Sequence, residues 1–526
     1  MRKMNFKALG MAVLLCVMTF ILPFSEKTYA NDYLSPLQNS VGEQTTPKTS
    51  TKISDGDKVK FISFKAVDTG IDFEVKAEGE YHNWEGVSNI SQFKDEKGNY
   101  CFAYPTTMKE YPDAHFINVL KYKGTSRTKG TTMEQRLPKF GAVTCDSEGN
   151  YYVLSGEDND IAGMPTIVVQ KHSKDGRWLT ETQEEGASGL LDNDSGYYTK
   201  EPFGAGNCDM AINNGILMIN YARGMYNGHQ SGTAFAVNIS TMKKPFLGEY
   251  YPASHCFAQR ILPYGEKGFM LLSEGDATDV RGFSIGIADP DALDWNDIME
   301  RDNLNEYVQE GNIEAHRSYI IPKYNIFNFY MMKDSSKGNE NYAHAGDIAI
   351  ADKTHAALAG TSAKSMTKAA AKQVERLFIQ VFDPSMDLND KNAYYITGKG
   401  TTRKGTTSGY ENGIASQAVP ETDYGIKWLT NGKFYVEHPQ MTVDSKGRFI
   451  VLYEKYKEKT KTYDGYQGVY CTILDKNGNM LQKAKRVSKT AKLNACETPI
   501  CIGTSVYWTG NKSGKDDLYV FRLKLK

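Results

Sequence analysis

A five-residue turn returns along this chain, each time between an apolar strand and a second strand rich in aromatic and β-branched residues. It reads Asp95-Glu96-Lys97-Gly98-Asn99, Asp146-Ser147-Glu148-Gly149-Asn150, Asp444-Ser445-Lys446-Gly447-Arg448 and Asp475-Lys476-Asn477-Gly478-Asn479. Ser173-Lys174-Asp175-Gly176-Arg177 and the shorter Asn213-Asn214-Gly215 are variants. Glycine, and tolerably Asn, takes the positive φ that a tight hairpin needs, so Asp-x-x-Gly-Asn reverses the chain cheaply and each copy is a hairpin signal with a mechanism. Successive units open near residues 91, 141, 208, 255, 344, 440 and 498. Irregular intervals of about 50 to 95 residues fit one four-stranded sheet per unit with outer loops of varied length. The pattern predicts an all-β chain folded as a single β-propeller of six or seven four-stranded blades. A strand over 58–66 is expected to complete the last blade and tie the two ends together. The acidic stretch 291–312 and the Ala- and Lys-rich stretch 362–375 read as loop and short helical insertions. Two β-sandwiches split near residue 300 are the competing arrangement.

Residues 1–30 read as a removable targeting segment: Arg2, Lys3 and Lys7 precede an apolar run over 8–24, and Thr28-Tyr29-Ala30 suits cleavage. The run is short for a membrane span and is broken by Gly10 and Pro23. No long apolar run follows it, so no membrane span is expected after signal removal. Residues 31–57, rich in Ser, Thr, Pro and Gln, read as a flexible linker, and the propeller domain is expected over 58–526. The whole chain carries 62 Lys and Arg against 63 Asp and Glu; losing four cations and one anion with residues 1–30 takes its net charge from −1 to −4. No basic footprint for nucleic acid remains.

Cys101, Cys145, Cys208, Cys256, Cys471, Cys496 and Cys501 follow the targeting segment; they are widely spaced and odd in number. Neither a dense disulfide scaffold nor a zinc site with close Cys pairs has this spacing. Buried strand cysteines with at most one disulfide are expected. Asp158-Asn159-Asp160 and the run over 192–196 do not continue into a calcium loop. No metal and no cofactor are expected.

Polar residues recur at the starts and ends of units three to six. His229, Gln230, His255, Gln259, Arg260, Asp276, Arg281, His344 and His438 are the candidate ligand-binding set, because in a propeller such positions meet at the channel or at one face. The same residue types have a second use, tying neighbouring blades by hydrogen bonds. No nucleophile elbow surrounds Ser254-His255, and no paired-carboxylate spacing identifies a catalytic acid and base.

Gly228-His229-Gln230 before an apolar strand, Ser254-His255 with Phe257 and Gln259, Gly275-Asp276-Ala277 with Arg281, and a strand led by His438-Pro439 and ending in Tyr453 resemble exported bacterial β-propeller-like repeat proteins. The likeness covers roughly residues 200–526. It implies fold and export but no reaction, because that family has no assigned activity. Three functions stay open. The first is a secreted, extracellular binding module that holds a glycan or a protein of a cell surface on one propeller face. The second is an extracellular carbohydrate-active hydrolase or lyase, with Asp276, His229 and His255 as acid and base candidates. The third is a structural cell-surface or spore-coat protein.

Overall fold

The computed structural model describes residues 50–52, 60–67, 74–76, 86–108, 111–159, 164–185, 199–204, 206–225, 228, 230–243, 254–266, 268–277, 282–288, 320–328, 343–363, 374–385, 394–396, 402–404, 426–457 and 465–525. The expected targeting segment, most of the linker, and the insertions over 291–312 and 364–373 lie outside these residues. Inside the expected linker, Ser50–Lys52 forms a short strand on Lys60–Val67.

Seven antiparallel blades follow one another. Blade one is Ser91–Lys94, Tyr100–Met108, Tyr111–Lys123 and Ser126–Gln135. Blade two is Lys139–Cys145, Tyr151–Gly156, Pro165–His172 and Trp178–Glu185. In blade three, Thr199–Pro202 and Cys208–Asn213 pair with opposite ends of Ile216–Met225, which pairs in turn with Gln230–Asn238. Blade four is Ser254–Tyr264, Gly268–Ala277, Gly282–Ala288 and Ile320–Asn328. Blade five joins His344–Asp352, His355–Ser362, Arg376–Phe382 and Ile426–Trp428. Blade six is Tyr435–Val443, Phe449–Tyr456, Tyr466–Leu474 and Met480–Ser488. Blade seven takes Ile500–Ile502, Ser505–Lys512 and Lys515–Lys524 from the chain's end, and its fourth strand is Lys60–Val67 from the beginning. The blade number, open between six and seven in the sequence, is therefore seven.

The inner strand of each blade lies against the inner strand of the next, and Ile500–Ile502 lies against Ser91–Lys94 to close the ring. Seven apolar clusters fill the seven junctions, each built from two consecutive blades. Second strands such as Tyr151–Gly156 are buried throughout because both faces of their sheet are covered, whereas the outer strand Met480–Ser488 is largely exposed.

The repeated turns form as their residue types require. Asp146 Oδ1 accepts the backbone N–H of Glu148 and Asn150, both at 2.9 Å; Asp95, Asp444 and Asp475 do the same for the residues two and four positions on. Inner strands also approach closely: a Cβ on Gly346 would stand 2.1 Å from the carbonyl oxygen of Pro439, so a side chain there would push blades five and six apart.

Side chains latch one blade to the next across these junctions. The Val143 N–H donates to Ser91 Oγ, Ile261 N–H to Asp209, Ala345 N–H to Glu274, Met441 N–H to Asp347, Leu493 N–H to Glu454 and Gln92 N–H to Glu497, at 2.7–3.2 Å. These bonds satisfy N–H groups that lack a ladder partner, five of them in inner strands and one, Leu493, in the segment entering blade seven. Cys101, Cys145, Cys208, Cys471 and Cys501 are free thiols.

Candidate functional site

Inner strands begin, second strands end and third strands begin at the same end of an antiparallel blade. That geometry puts Gln230, His255, Asp276, His344 and His438 on one rim of the ring, since each stands at such a strand terminus. His255 lies between Ser254, paired with Ala277, and Cys256, paired with Gly275, so its backbone is opposite Asp276. His344 is half-buried opposite Thr361, and Gln230 donates to the Gly228 carbonyl at 3.4 Å. His229 and Arg281 lie outside the described residues.

Gln259 and Arg260 sit deeper, on the channel wall of blade four, and both are buried. Gln259 accepts from Ser273 Oγ at 2.7 Å, and its backbone exchanges hydrogen bonds with the Asn207 side chain. Arg260 donates to the carbonyls of Gln259, at 2.8 Å, and Ala495, at 2.7 Å, and its Nε lies 3.9 Å from Asp347 Oδ1. Thr498 from the approach to blade seven donates to Asp347 at 2.8 Å. Burial pushes the carboxyl of Asp347 up to about 7 and that of Asp209 up to about 6, against the opposing pull of Arg260. These side chains span blades three, four, five and seven and spend their hydrogen bonds on the protein itself.

A second group, at the rim between blades six and seven, is organised around the fully buried carboxylate of Glu454. It accepts the Leu493 N–H at 2.7 Å, the Tyr456 hydroxyl at 2.6 Å and the Lys492 ammonium at 3.0 Å, and His438 Nδ1 lies 3.7 Å away. Burial alone would raise this carboxyl, but His438, Lys492 and Tyr456 outweigh it and hold Glu454 down to about 2. It is therefore an anion at every ordinary pH. Lys492 also donates to the Tyr456 hydroxyl and lies 4.9 Å and 4.2 Å from the ring centroids of Tyr456 and Tyr466. Burial first, then the Glu454 charge, raises both phenols, so they remain protonated donors. The Tyr466 hydroxyl donates to the Ala491 carbonyl.

His438 is held in this group by an unusual backbone. Its φ is +50°, and the register shifts between Glu437, opposite Glu454, and Gln440, opposite Leu452, so His438-Pro439 forms a bulge. A left-handed conformation at a non-glycine residue, beside a bulge, is the kind of local strain that clusters at functional positions. The His438 side chain is 22 % exposed and that of Lys492 is 16 % exposed, whereas that of Glu454 is inaccessible. The arrangement presents an imidazole, an ammonium and a tyrosine ring toward the rim on a fixed anionic base. Of the sequence candidates only His438 belongs to it. Glu454, Lys492, Tyr456 and Tyr466 were not singled out, because Tyr-Glu-Lys-Tyr over 453–456 reads as a strand end and Lys492 lies in the segment entering the next blade.

No known protein family matches the sequence, and no curated protein does. Solved structures similar to this chain include the polysaccharide lyase Uly1, at 10% identity over 88% of this chain and 94% of that one, with a TM-score of 0.41. The β-propeller domain of the Trilobed protease from Pyrococcus furiosus is similar at 7% identity over 85% and 95%, TM-score 0.37. An endo-arabinase from Bacteroides thetaiotaomicron is similar at 10% identity over 74% and 95%, TM-score 0.27. Identity at this level transfers no residue role to this chain.

Proposed function

We propose that this chain is an exported binding module that holds a glycan on the rim where its inner strands begin, with blade six and the entry to blade seven as the principal contact. The observation that carries this reading is the group of His438, Lys492 and Tyr466 fixed around buried Glu454. A sugar offers hydroxyls at its edge and apolar C–H groups on its face. Recognising it takes donors held in place by a rigid shell and an aromatic surface beside them. The His438 bulge and the tyrosine-flanked Lys492 meet that description. Gln230, His255, Asp276 and His344 extend the same rim over blades three to five, and His229 and Arg281, next in sequence to Gln230 and Gly282, are proposed with them as ligand contacts. Export rests on the basic and apolar pattern of residues 1–30.

Binding of the purified chain to a polysaccharide array tests the reading. Glycine tolerates φ near +50°, so His438→Gly removes the imidazole without backbone strain. It is expected to weaken binding at least about tenfold, ~1.4 kcal/mol, with little change in melting temperature. Binding to no glycan, or binding indifferent to His438→Gly and Tyr466→Leu, sinks it.

A second reading has its own support in the imidazole set beside a permanent carboxylate, the pairing a general base needs. It makes the chain a carbohydrate-active lyase or hydrolase. Turnover of a bound polysaccharide that His438→Gly abolishes while binding persists would favour it over binding alone.

A further inference from the structure

We propose that blade six carries a second contact on the other face of the same sheet, where Lys455 receives the carboxylate or sulfate of an acidic saccharide whose ring stacks on Phe434. This rests on the reading of the rim as a glycan-binding face and adds the class of glycan. Successive residues of a strand point to opposite faces. Ile450 and Leu452 accordingly pack toward blade seven, with Glu454 and Tyr456 beyond them, while Val451 and Tyr453 pack toward blade five, with Lys455 beyond.

The Lys455 ammonium stands 4.1 Å from the ring centroid of Tyr470, 5.1 Å from that of Phe434 and 5.9 Å from that of Tyr453. Lys492 on the opposite face also rests on two tyrosine rings, but Glu454 neutralises it. Lys455 has no such counterpart: among the described residues no carboxylate pairs with it and no acceptor takes its hydrogen bonds. Burial lowers its pKa with no opposing charge to restore it. An ammonium has three N–H donors, and ring faces attract the charge without supplying the oxygen acceptors those donors seek. Among the described residues the half-buried cage therefore supplies the ammonium with ring faces but no oxygen acceptor, the group an oxyanion would provide.

Two further features shape the ligand. Phe434 is 38 % exposed, so one wall of the cage opens its ring face to solvent beside the charge. Two residues earlier, Gly432 has a φ of +76°, and a Cβ there would stand 2.8 Å from Arg376 Nε, so the turn is fitted around that guanidinium. Arg376 is half-buried and likewise pairs with no carboxylate among the described residues, and exposed Lys433 lies in the same turn. An exposed aromatic ring beside an ammonium, in a turn fitted around Arg376, with neither cation paired to a carboxylate among the described residues, matches a sugar ring that bears an oxyanion: the C–H face meets Phe434 while a charge-assisted bond forms at Lys455. A neutral glycan would leave the ammonium as it is.

Calorimetry with the full chain tests this using a glucuronate-containing oligosaccharide, its carboxyl-reduced counterpart, inorganic sulfate and oligoglutamate. The acidic oligosaccharide is expected to bind at least about tenfold more tightly than the reduced form at low salt. Lys455→Gln should erase that preference and leave the weaker, neutral binding in place, and Phe434→Ala should weaken both forms. Equal binding of the two saccharides, an unchanged preference in Lys455→Gln, or sulfate or oligoglutamate binding as tightly as the acidic saccharide would overturn the proposal. If neither saccharide binds, the glycan reading of the rim fails with it; if both bind alike, only the acidic preference fails.

Discussion

A chain that begins at Asn89, and so lacks Lys60–Val67, is expected to melt on the order of 5–10 °C below the full chain and to aggregate on refolding. Lys60–Val67 pairs with Leu518–Lys524 almost residue for residue, from Lys60 opposite Lys524 to Val67 opposite Leu518. Without it, Lys515–Lys524 becomes an open edge whose inner neighbour Ser505–Lys512 carries buried Val506 and Trp508. An unpaired edge of alternating apolar residues is a template for another chain. A synthetic peptide spanning residues 58–68, added in trans, should restore part of the melting temperature. An unchanged melting temperature in the shortened chain would show that another segment closes blade seven.

The second large effect is expected at the channel wall. Arg260→Ala removes the one cation beside Asp347 among the described residues and the bond to the Ala495 carbonyl, leaving the buried carboxyls of Asp347 and Asp209 with their hydrogen bonds but no opposing charge. Breaking a buried pair from one side typically costs about 3–5 kcal/mol. The loss should depend on pH. Burial places Asp347 at about 7 and Asp209 at about 6, above the ordinary carboxylate value of ~4. Between those limits the folded state holds more protons than the unfolded state, so the contribution of these two groups to stability falls as pH rises through the window. Removing Arg260 raises both carboxyls further and deepens that fall. Denaturant unfolding should therefore show a larger loss for Arg260→Ala at pH 8 than at pH 5, and Arg260→Ala with Asp347→Asn should recover part of it. A loss equal at both pH values contradicts this account of the channel.

The turns were legible because everything that makes them is local. An Asp, a glycine three residues on and flanking apolar strands suffice to mark the reversal, and the structure adds the bonds by which Asp95, Asp146, Asp444 and Asp475 hold it. The closing strand was legible for the same reason, as an alternating segment near residue 58. Blade number was harder, because the fourth strand of blade five, Ile426–Trp428, comes long after Phe382 and has only three residues. Periodicity cannot assign so short a strand to a sheet. At the rim, His438 could be found from its place at a strand start, but its partners could not. Glu454 meets it through the register of a bulged hairpin and Lys492 through the packing of a different segment. Gln259 and Arg260 show the converse: polar residues in a strand look alike whether they face a ligand or hold two blades together, and only the Asn207, Ala495 and Asp347 contacts reveal how these two are used.

Amine-reactive labelling of the full chain, with and without a saturating glycan, compares the two ends of the ring directly. If the ligand sits on the rim of blade six, Lys455, Lys433 and Lys492 lose reactivity on binding, while Lys97 and Lys446, in the turns at the opposite end, react as before. Protection of Lys97 and Lys446 with Lys455 and Lys492 still reactive would place the ligand on the other face and contradict the account.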